Sequence, residues 1–449
     1  MNKPQINQII SLEIHGLGSG GEGVGYFHGY VVFVDGALPG ETVEAKMTQC
    51  QKRHGWAELI SITKRSPDRV EPPCKLFGTC GGCQLMHLSY HKQLEIKRQK
   101  VVDALRRIGK LENVPVEPCV ASPSSLGYRN KIQLPVRPGN KEMAIGLYAR
   151  ASHELIEVDH CYIHCPLGEQ VYQAVRSVLK RSDLVPYDPI QNGGELRHVL
   201  IKSAVHTGEV LVILVTDKPV SFALRQVARD IMAANSAIKG VVHNLHQGKE
   251  NVILGQEYTT LEGTGSIQEK LLGLKFKVSP ASFFQVNAPQ AEQLYTKALE
   301  FAALTGQETV LDAYCGVGTL SLLFAQKAKK VIGVECVPEA IQDAKENREI
   351  NQIKNTEFFC DDAEKFIQKL KGVDVVLLNP PRKGCEPLFL EGLGRLRPKR
   401  VVYISCDPAT LARDLAQLVT LGFSLETIAP YDMFPQTSHV EAVAQLNLS

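Results

Sequence analysis

The stretch "TVLDAYCGVG", residues 309–318, decides the fold of this 449-residue chain. Its apolar first half is typical of a buried strand, and Gly316 and Gly318 supply a turn in which the backbone can approach a ligand closely. Apolar runs alternate with helical patterns through the last third of the chain: "KVIGVEC", "TEFFCDD", "VDVVLLNPP", "RVVYISCDP", "LETIAPYDMF" and "VEAVAQLNL". Regular strand–helix alternation predicts a parallel sheet covered by helices.

This predicted sheet should bind its ligand beyond the carboxyl ends of its strands, as open α/β sheets do. Glu335 ends the next strand 17 residues after Gly318, and a carboxylate there can accept hydrogen bonds from both ribose hydroxyls. Ser321 stands where the G-x-G-x-x-G fingerprint has its third glycine, which disfavours tight contact with a pyrophosphate. We therefore expect S-adenosylmethionine, which has no phosphate; an ordinary strand–helix turn is the alternative.

A cysteine and a carboxylate near the end of the chain are candidates for the chemistry. Cys406 in "YISCDPATLARDL" falls where a strand stops and a helix begins. A thiol near a helix N-terminus is expected to have a lowered pKa and to be a good nucleophile; the alternative is a small buried apolar residue. Glu441 follows His439 at the start of the last predicted strand and is a candidate general base.

The first 65 residues contain short β-type runs punctuated by glycine and proline, which predicts a small antiparallel barrel. Residues 1–110 carry 15 Lys and Arg against 10 Asp and Glu, whereas residues 301–449 carry 16 against 19. This distribution favours an N-terminal region that binds a polyanion and a C-terminal region that binds a small molecule, although solvated surfaces give the same pattern. Basic residues crowd the end of the predicted barrel: Lys52, Arg53, His54, Lys64, Arg65 and Arg69.

The chain shows neither a secretory signal pattern nor an apolar run of the roughly 20 residues that a membrane helix needs. We therefore expect a cytoplasmic protein without a membrane partner. In that reducing compartment the 12 cysteines indicate thiols, a metal or catalysis rather than disulfides. Residues 87–109 have helical apolar spacing and end at Gly109; their basic face either meets phosphates or is solvated.

Three C-terminal stretches resemble the signatures of RNA (uracil-5-)-methyltransferases. They are "NPPRKG" (379–384), "VVYISCDPAT" (401–410) and "YDMFPQTSHVE" (431–441), and "SFFQVN" (282–287) resembles a further motif of the family. The resemblance extends over essentially the whole chain and implies a multidomain α/β protein. Its parts would be an OB-type β-barrel similar to an RNA-binding TRAM domain (1–65), a central α/β domain with an iron–sulfur cluster (66–275), and a Rossmann-like S-adenosylmethionine-dependent methyltransferase domain (276–449).

The resemblance also implies roles for individual residues. Cys406 would add to C6 of a uracil taken out of its stack, so that C5 can accept a methyl group, and Glu441 would remove the C5 proton. The residues that match the family's cofactor contacts are Gln285, Tyr314, Thr319, Glu335, Asp362 and Asn379. Two positions depart from the family pattern: Asn379 stands where Asp is common, and Asp407 where Asn usually follows the nucleophile. A charged Asp407 would lower the rate if it contacts uracil.

Three cysteines lie within "CKLFGTCGGC" (74–83). C-x5-C-x2-C followed by a distant cysteine in "DHCYIHC" resembles the family's [4Fe–4S] set, which implies Cys74, Cys80, Cys83 and Cys161 as ligands. Cys165 is the rival for the fourth position, and structural zinc is the alternative metal. A cluster this far along the chain from the methyl-transfer motifs is expected to be structural or to shape the RNA site.

A chain with both a TRAM-like barrel and this cysteine set resembles the family members that act on 23S ribosomal RNA, so the resemblance implies C5 methylation of uracil in that RNA; we expect a monomeric protein. A tRNA T-loop uridine is the alternative substrate. An RNA-binding homologue that has lost its activity is the alternative of a different class, supported by Asn379 and Asp407.

Overall fold

The computed structural model describes residues 3–139, 142–248 and 252–449. Its first part is a barrel of five strands: β1 (Ile9–Leu17), β2 (Gly23–Phe27), β3 (Tyr30–Val34), β4 (Thr42–Cys50) and β5 (His54–Lys64). The order β1-β2-β3-β5-β4 closes because β1 also pairs with β4. Ile10, Leu12 and Ile14 are buried between exposed neighbours on β1, the period of two expected of a strand with one face in the core. The predicted barrel is thus confirmed, except that one of its strand pairs, β3 with β5, is parallel.

One of the basic residues at the end of this barrel is part of its structure. The Arg69 guanidinium donates to both carboxylate oxygens of Glu41 at 2.6 and 2.8 Å and to the Gly36 carbonyl. Glu41 is completely buried, so Arg69 neutralises a charge that would otherwise be unpaired. Arg69 is therefore not free to meet a polyanion.

A second sheet of seven strands has the order β12-β11-β10-β9-β6-β7-β8. Its strands are β6 (Lys131–Pro138), β7 (Met143–Tyr148), β8 (Leu155–Glu157), β9 (Leu196–Ala204), β10 (Glu209–Thr216), β11 (Ile238–Leu245) and β12 (Glu257–Gly263). Helices α2 (Pro166–Lys180) and α3 (Phe222–Ala234) cover one face of this sheet with apolar residues. A separate hairpin of β13 (Ile267–Leu271) and β14 (Leu274–Val278) leads to the last sheet.

The third sheet carries the regular alternation read from the sequence. Its order is β17-β16-β15-β18-β19-β21-β20, with β15 to β19 parallel and β20 and β21 antiparallel. The strands are β15 (Thr309–Asp312), β16 (Lys330–Glu335), β17 (Thr356–Cys360), β18 (Val375–Leu378), β19 (Arg400–Ser405), β20 (Phe423–Tyr431) and β21 (Glu441–Leu448). The predicted parallel sheet is confirmed.

Two apolar layers cover this sheet. The helices are α4 (Ala288–Ala302), α5 (Thr319–Ala325), α6 (Pro338–Ile350), α7 (Ala363–Phe366), α8 (Pro387–Leu396) and α9 (Pro408–Thr420). One layer contains α4, α5 and α6, and the other contains α8 and α9. The second layer also takes up α1 (Tyr90–Ala104), whose Val101 and Ala104 pack there, together with Leu105 of the π-helical turn Leu105–Gly109 that continues α1.

With its π-helical continuation, the helical segment that begins with α1 ends at Gly109, as predicted. It packs on the third sheet, although it lies within the predicted central domain. Main-chain bridges from Val116 to Ile428 and from Val120 to Tyr431 continue the same contact. The three domain boundaries stay a prediction. None of the described helices is long and apolar enough to cross a membrane.

Candidate active site

The turn after β15 and the end of β16 form one half of the candidate site. Gly316 and Gly318 have φ of 53° and 80°, the left-handed region that glycine adopts without strain. The Gly316 amide donates to Glu335 Oε2 at 3.2 Å, and the Val337 amide donates to Oε1 at 3.1 Å. The carboxylate at the end of β16 is therefore held by the backbone on both sides and stays partly exposed.

Ser321, which replaces the third glycine of the dinucleotide fingerprint, has a role that the sequence did not reveal. Its hydroxyl donates to Asp312 Oδ2 at 2.6 Å, and both side chains are buried. Burial raises the pKa of Asp312 to about 7, although the Ser321 hydrogen bond opposes this. The serine thus supports a buried carboxyl group under the turn, a position that a glycine could not fill.

Tyr314 and Asp362 lie at the same edge of the sheet, after β15 and β17, the two strands that flank β16. The Tyr314 hydroxyl lies 3.4 Å from Glu364 Oε1. Asp362 caps the short helix α7, accepting a hydrogen bond from the Glu364 amide at 3.2 Å. A side-chain hydrogen bond with Glu364 lowers the pKa of Asp362, so its carboxylate stays ionised.

The remaining three predicted cofactor residues lie around this edge. Thr319 is the first residue of α5 and Asn379 follows β18; both are partly buried. Gln285 is buried and hydrogen-bonds Tyr295 on α4. Glu441 and Asp312 both raise the pKa of Tyr295 through their charge, although burial is the larger cause. Gln285 therefore lies where the cofactor half of the site meets the strand that carries Glu441.

Cys406 and Glu441 form the other half of the site. Ser405, the last residue of β19, pairs with Ala442 of the antiparallel strand β21. Cys406 follows Ser405 and Glu441 precedes Ala442, so the two come side by side at the carboxyl end of β19. Glu441 is buried, its Oε2 has no hydrogen-bond partner among the described residues, and burial raises its pKa to about 7.

The expectation of a lowered pKa for Cys406 is wrong in this structure. Burial and the charge of Glu441 raise the pKa of the thiol, and the Arg382 guanidinium only partly opposes them. A neighbouring carboxylate disfavours the thiolate because two negative charges would share a buried site. Arg382 lies within "NPPRKG", yet its influence on Cys406 could not be read from the motif.

Asp407 has a structural role at the start of α9. Its carboxylate caps α9, accepting hydrogen bonds from the amides of Ala409 and Thr410 at 2.8 and 2.9 Å. Asp and Asn are nearly equivalent as helix N-caps, because each offers a side-chain oxygen to the first free amides. The departure from the family pattern at this position therefore preserves the cap.

The segment 432–440, which leads into Glu441, is held by helix α1. Lys97 forms a fully buried ion pair with Asp432 at 2.5 Å and donates to the Phe434 carbonyl at 3.1 Å. Gln93 exchanges two hydrogen bonds with Gln436, one at 3.0 Å between side chains and one at 3.1 Å from the Gln436 amide. The position of Glu441 thus depends on a helix more than 330 residues earlier in the chain.

The four predicted cluster cysteines line one cavity. Cys74, Cys80, Cys83 and Cys161 share its wall with apolar residues including Phe77, Met86 and Ile163. Burial raises the pKa of Cys83 well above its ordinary value and that of Cys161 to about 11. Cys165 lies outside this wall: its sulfur accepts the Gly168 amide at 3.3 Å and caps α2. No three His, Cys, Asp or Glu side chains of the described ranges are arranged to hold a single metal ion.

The model of the family described as tRNA (uracil-5-)-methyltransferase matches residues 89–448, and that of the TRAM domain matches residues 3–60. The chain belongs to the RNA uracil-5-methyltransferase family. It is thus an S-adenosylmethionine-dependent RNA methyltransferase with an N-terminal TRAM barrel, which confirms the family resemblance seen in the sequence.

Relatives of this methyltransferase cover almost its full length. A protein of Clostridium acetobutylicum named as an uncharacterized RNA methyltransferase is 43% identical, covering 97% of this chain and 96% of its own. One from Listeria innocua, named in the same way, is 42% identical, covering 98% of each. The tRNA (uracil-54, C5)-methyltransferase of Pyrococcus abyssi, solved with S-adenosyl-L-homocysteine, is 27% identical with a TM-score of 0.77, covering 97% of this chain and 100% of that chain.

Proposed function

We propose that this methyltransferase acts on C5 of uracil through a covalent intermediate on Cys406, with Glu441 as the base. The observation that carries the proposal is the placement of a thiol and a buried carboxylate side by side at the carboxyl end of β19. S-adenosylmethionine supplies an electrophilic methyl group bound to a sulfonium sulfur. Uracil C5 needs activation to accept that group, and the thiol provides it.

The proposed reaction balances with the groups present. The Cys406 thiolate forms a bond to C6, and the electron pair of the C5–C6 double bond moves toward O4. C5 then forms its bond to the methyl carbon while the bond from that carbon to the sulfonium sulfur breaks, which leaves S-adenosylhomocysteine. Glu441 takes the proton from C5, the double bond re-forms, and the C6–S bond breaks to release Cys406.

The environment of Glu441 suits a base at neutral pH. Efficient general bases have a pKa near the working pH, and burial places that of Glu441 at about 7. Its unpaired oxygen leaves a buried acceptor free, and buried acceptors are normally hydrogen-bonded. An unpaired oxygen is therefore available for a substrate proton.

The methyl donor would lie on the cofactor half of the site. Glu335 would accept the ribose hydroxyls, and Tyr314 and Asp362 flank the turn on which a nucleoside would rest. The full proposed set is Gln285, Tyr314, Thr319, Glu335, Asp362 and Asn379.

A uridine of 23S ribosomal RNA is the proposed substrate, on the resemblance of a chain that combines a TRAM barrel with the cysteine set. A tRNA uridine is the second candidate, favoured by the likeness to the Pyrococcus abyssi tRNA enzyme over the whole chain. Purified protein, labelled S-adenosylmethionine and each RNA separately would distinguish the two. Labelled 5-methyluridine from one RNA alone would assign the substrate.

The inactive alternative is tested by trapping. RNA in which 5-fluorouridine replaces uridine cannot lose a proton from C5, so a working Cys406 would remain attached to it. Wild-type protein should form this adduct and C406S should not, whereas C50S, a cysteine substitution on the barrel strand β4, should leave it unchanged. Absence of both adduct and methylation from RNA-bound wild-type protein would favour the inactive reading.

We further propose that Cys74, Cys80, Cys83 and Cys161 hold a [4Fe–4S] cluster. Four thiols around a cavity suit a cluster, whose ligands surround a volume, and the apolar wall suits a site closed to solvent. The cluster would join the 74–83 loop to the 161–165 segment. Two variants four residues apart give a matched test: C161S should lose iron and sulfide, whereas C165S should retain both, because Cys165 caps α2.

A further inference from the structure

A groove separates the barrel from helix α1. Its volume is about 830 Å³, toward the upper end of the roughly 300–1,000 Å³ of small-ligand sites. The barrel contributes the end of β1, the following turn and β2; the opposite wall is one face of α1. Ser438, three residues before Glu441, lies at its inner end. The groove therefore runs from the barrel surface to the segment 432–440, which leads into Glu441 and is called the catalytic segment below.

Lys100 lines this groove, and the charges of Asp407 and Glu22 act on its ammonium without forming an ion pair with it. Its ammonium donates to the carbonyl of Ser438 at 2.9 Å and to that of Ser19 at 3.3 Å, and it forms no ion pair within the described ranges. The other cations have acidic partners: Lys97 pairs with Asp432, Lys92 with Glu95 at 2.6 Å, and Arg107 with Asp103 at 3.7 Å. An anionic ligand would therefore find its strongest attraction at the inner end.

Aromatic rings line the outer part of the groove. His15 on β1 and Tyr26 on β2 lie with ring centroids 5.7 Å apart, and both face away from the barrel core. Tyr26 is 54% exposed. Single-stranded RNA binds to surfaces of this kind, in which aromatic side chains stack on bases and cations meet the backbone phosphates.

The inner end of the groove adjoins the reacting groups. Lys100 holds the Ser438 carbonyl on the segment that delivers Glu441, and the charge of Asp407, next to Cys406, acts on the Lys100 ammonium. A strand whose target base enters the site must carry its flanking phosphates past this point.

We propose that the groove binds the single-stranded RNA segment adjoining the target uridine, with a phosphate at Lys100 and a neighbouring base stacked on Tyr26 and His15. The inference rests on the proposed RNA methylation and adds the path of the strand. A free small ligand or a protein segment in the groove would be the contrary finding.

The test measures binding of a fluorescein-labelled oligouridine of twelve nucleotides to the full-length protein. Substitution K100Q keeps a hydrogen-bond donor for the two carbonyls but removes the charge, and Y26A removes the stacking ring. Loss of one phosphate contact should lower the slope of log K against log salt by about 0.7. Loss of one stacked base should weaken binding by about 5- to 150-fold. Controls are K354Q, near the β17 edge of the third sheet, and Y258A on β12, an edge strand of the second sheet.

A second measurement needs no substitution. The RNA that wild-type protein methylates is prepared with 4-thiouridine on either side of the target and irradiated. Cross-linked peptides from 15–26 or 92–108 would support the groove. Cross-links only elsewhere, or K100Q and Y26A binding as tightly and with the same salt slope as the controls, would overturn it. If wild-type protein methylates neither RNA, the proposed function itself fails, which is a distinct result.

Discussion

Cys406 and Glu441 lie next to each other across the end of an antiparallel strand pair, and the charge of Glu441 raises the pKa of the Cys406 thiol. Two groups that disfavour each other's charged form share a single negative charge most readily. Because the pKa of Glu441 is about 7 and that of the Cys406 thiol is raised above its ordinary value, the carboxylate ionises before the thiol.

Substitution E441Q should make Cys406 more reactive while stopping turnover. Without the carboxylate, the pKa of the thiol falls, so alkylation by iodoacetamide at pH 7.5 becomes faster. R382Q should have the opposite effect, because Arg382 lowers the same pKa. The rate is followed by mass spectrometry of the Cys406 peptide. Unchanged rates in both variants would contradict the electrostatic coupling.

E441Q should also trap the RNA. Methyl transfer can proceed once Cys406 has added to C6, but the C5 proton then has no base to take it. RNA with ordinary uridine should therefore accumulate as a covalent adduct on E441Q, which denaturing gels resolve. The C406S protein should form no adduct. Normal release of 5-methyluridine by E441Q would assign the base to another residue.

The stability of the protein should depend on pH through Glu441. Its pKa rises from 4.5 to about 7 on folding. The contribution of this shift to the free energy of unfolding is therefore fully present below about pH 4.5. That contribution is lost as the pH rises to 7, by at most about 3 kcal/mol, because the unfolded chain then releases a proton that the folded protein retains. The free energy of unfolding in urea should be measured for wild type and E441Q at pH 5 and pH 8. Relative to wild type, E441Q should be more stable at pH 8 than it is at pH 5. Equal differences at both would contradict this.

The buried pair of Lys97 and Asp432 should be essential to the order of the catalytic segment. K97M leaves a buried carboxylate without its partner and should cost about 3–5 kcal/mol of unfolding free energy. The double variant K97M/D432L, which removes both charges, should recover most of that loss. Hydrogen exchange of residues 432–441 should rise in K97M. A single variant as stable as wild type would contradict the role of the pair.

Lys202 should position the loop that carries Gln285. Its buried ammonium donates to the carbonyls of Ser279, Pro280 and Ser282 at 2.7–2.8 Å, and burial lowers its pKa to about 7. K202M should weaken binding of S-adenosyl-L-homocysteine, measured by calorimetry, because three carbonyls lose their donor. K275Q, at an exposed position of β14, is the control. Equal affinities would show that the loop holds its shape without Lys202.

The order of strands and helices in the third sheet was predictable, because buried parallel strands read as short apolar runs and their ends carry the polar residues. Glu335, Cys406 and Asp362 all fall at such ends. The role of Ser321 was not predictable, since its partner Asp312 is nine residues earlier and only the turn brings them together. The sign of the pKa shift of Cys406 was missed for the same reason. The sequence shows that a helix begins beside Cys406, but it does not show that Glu441 lies next to the thiol or that the thiol is partly buried.

The sequence by itself determined the barrel, the parallel sheet and the family, and it predicted the nucleophile, because periodicity and motifs are local properties of the chain. Only the tertiary structure decided how Lys97 and Gln93 of α1 hold the segment before Glu441, and that Cys161 rather than Cys165 faces the cavity of the other three cysteines. These relationships join residues distant along the chain, and their energies depend on burial and distance, which exist only once the chain has folded.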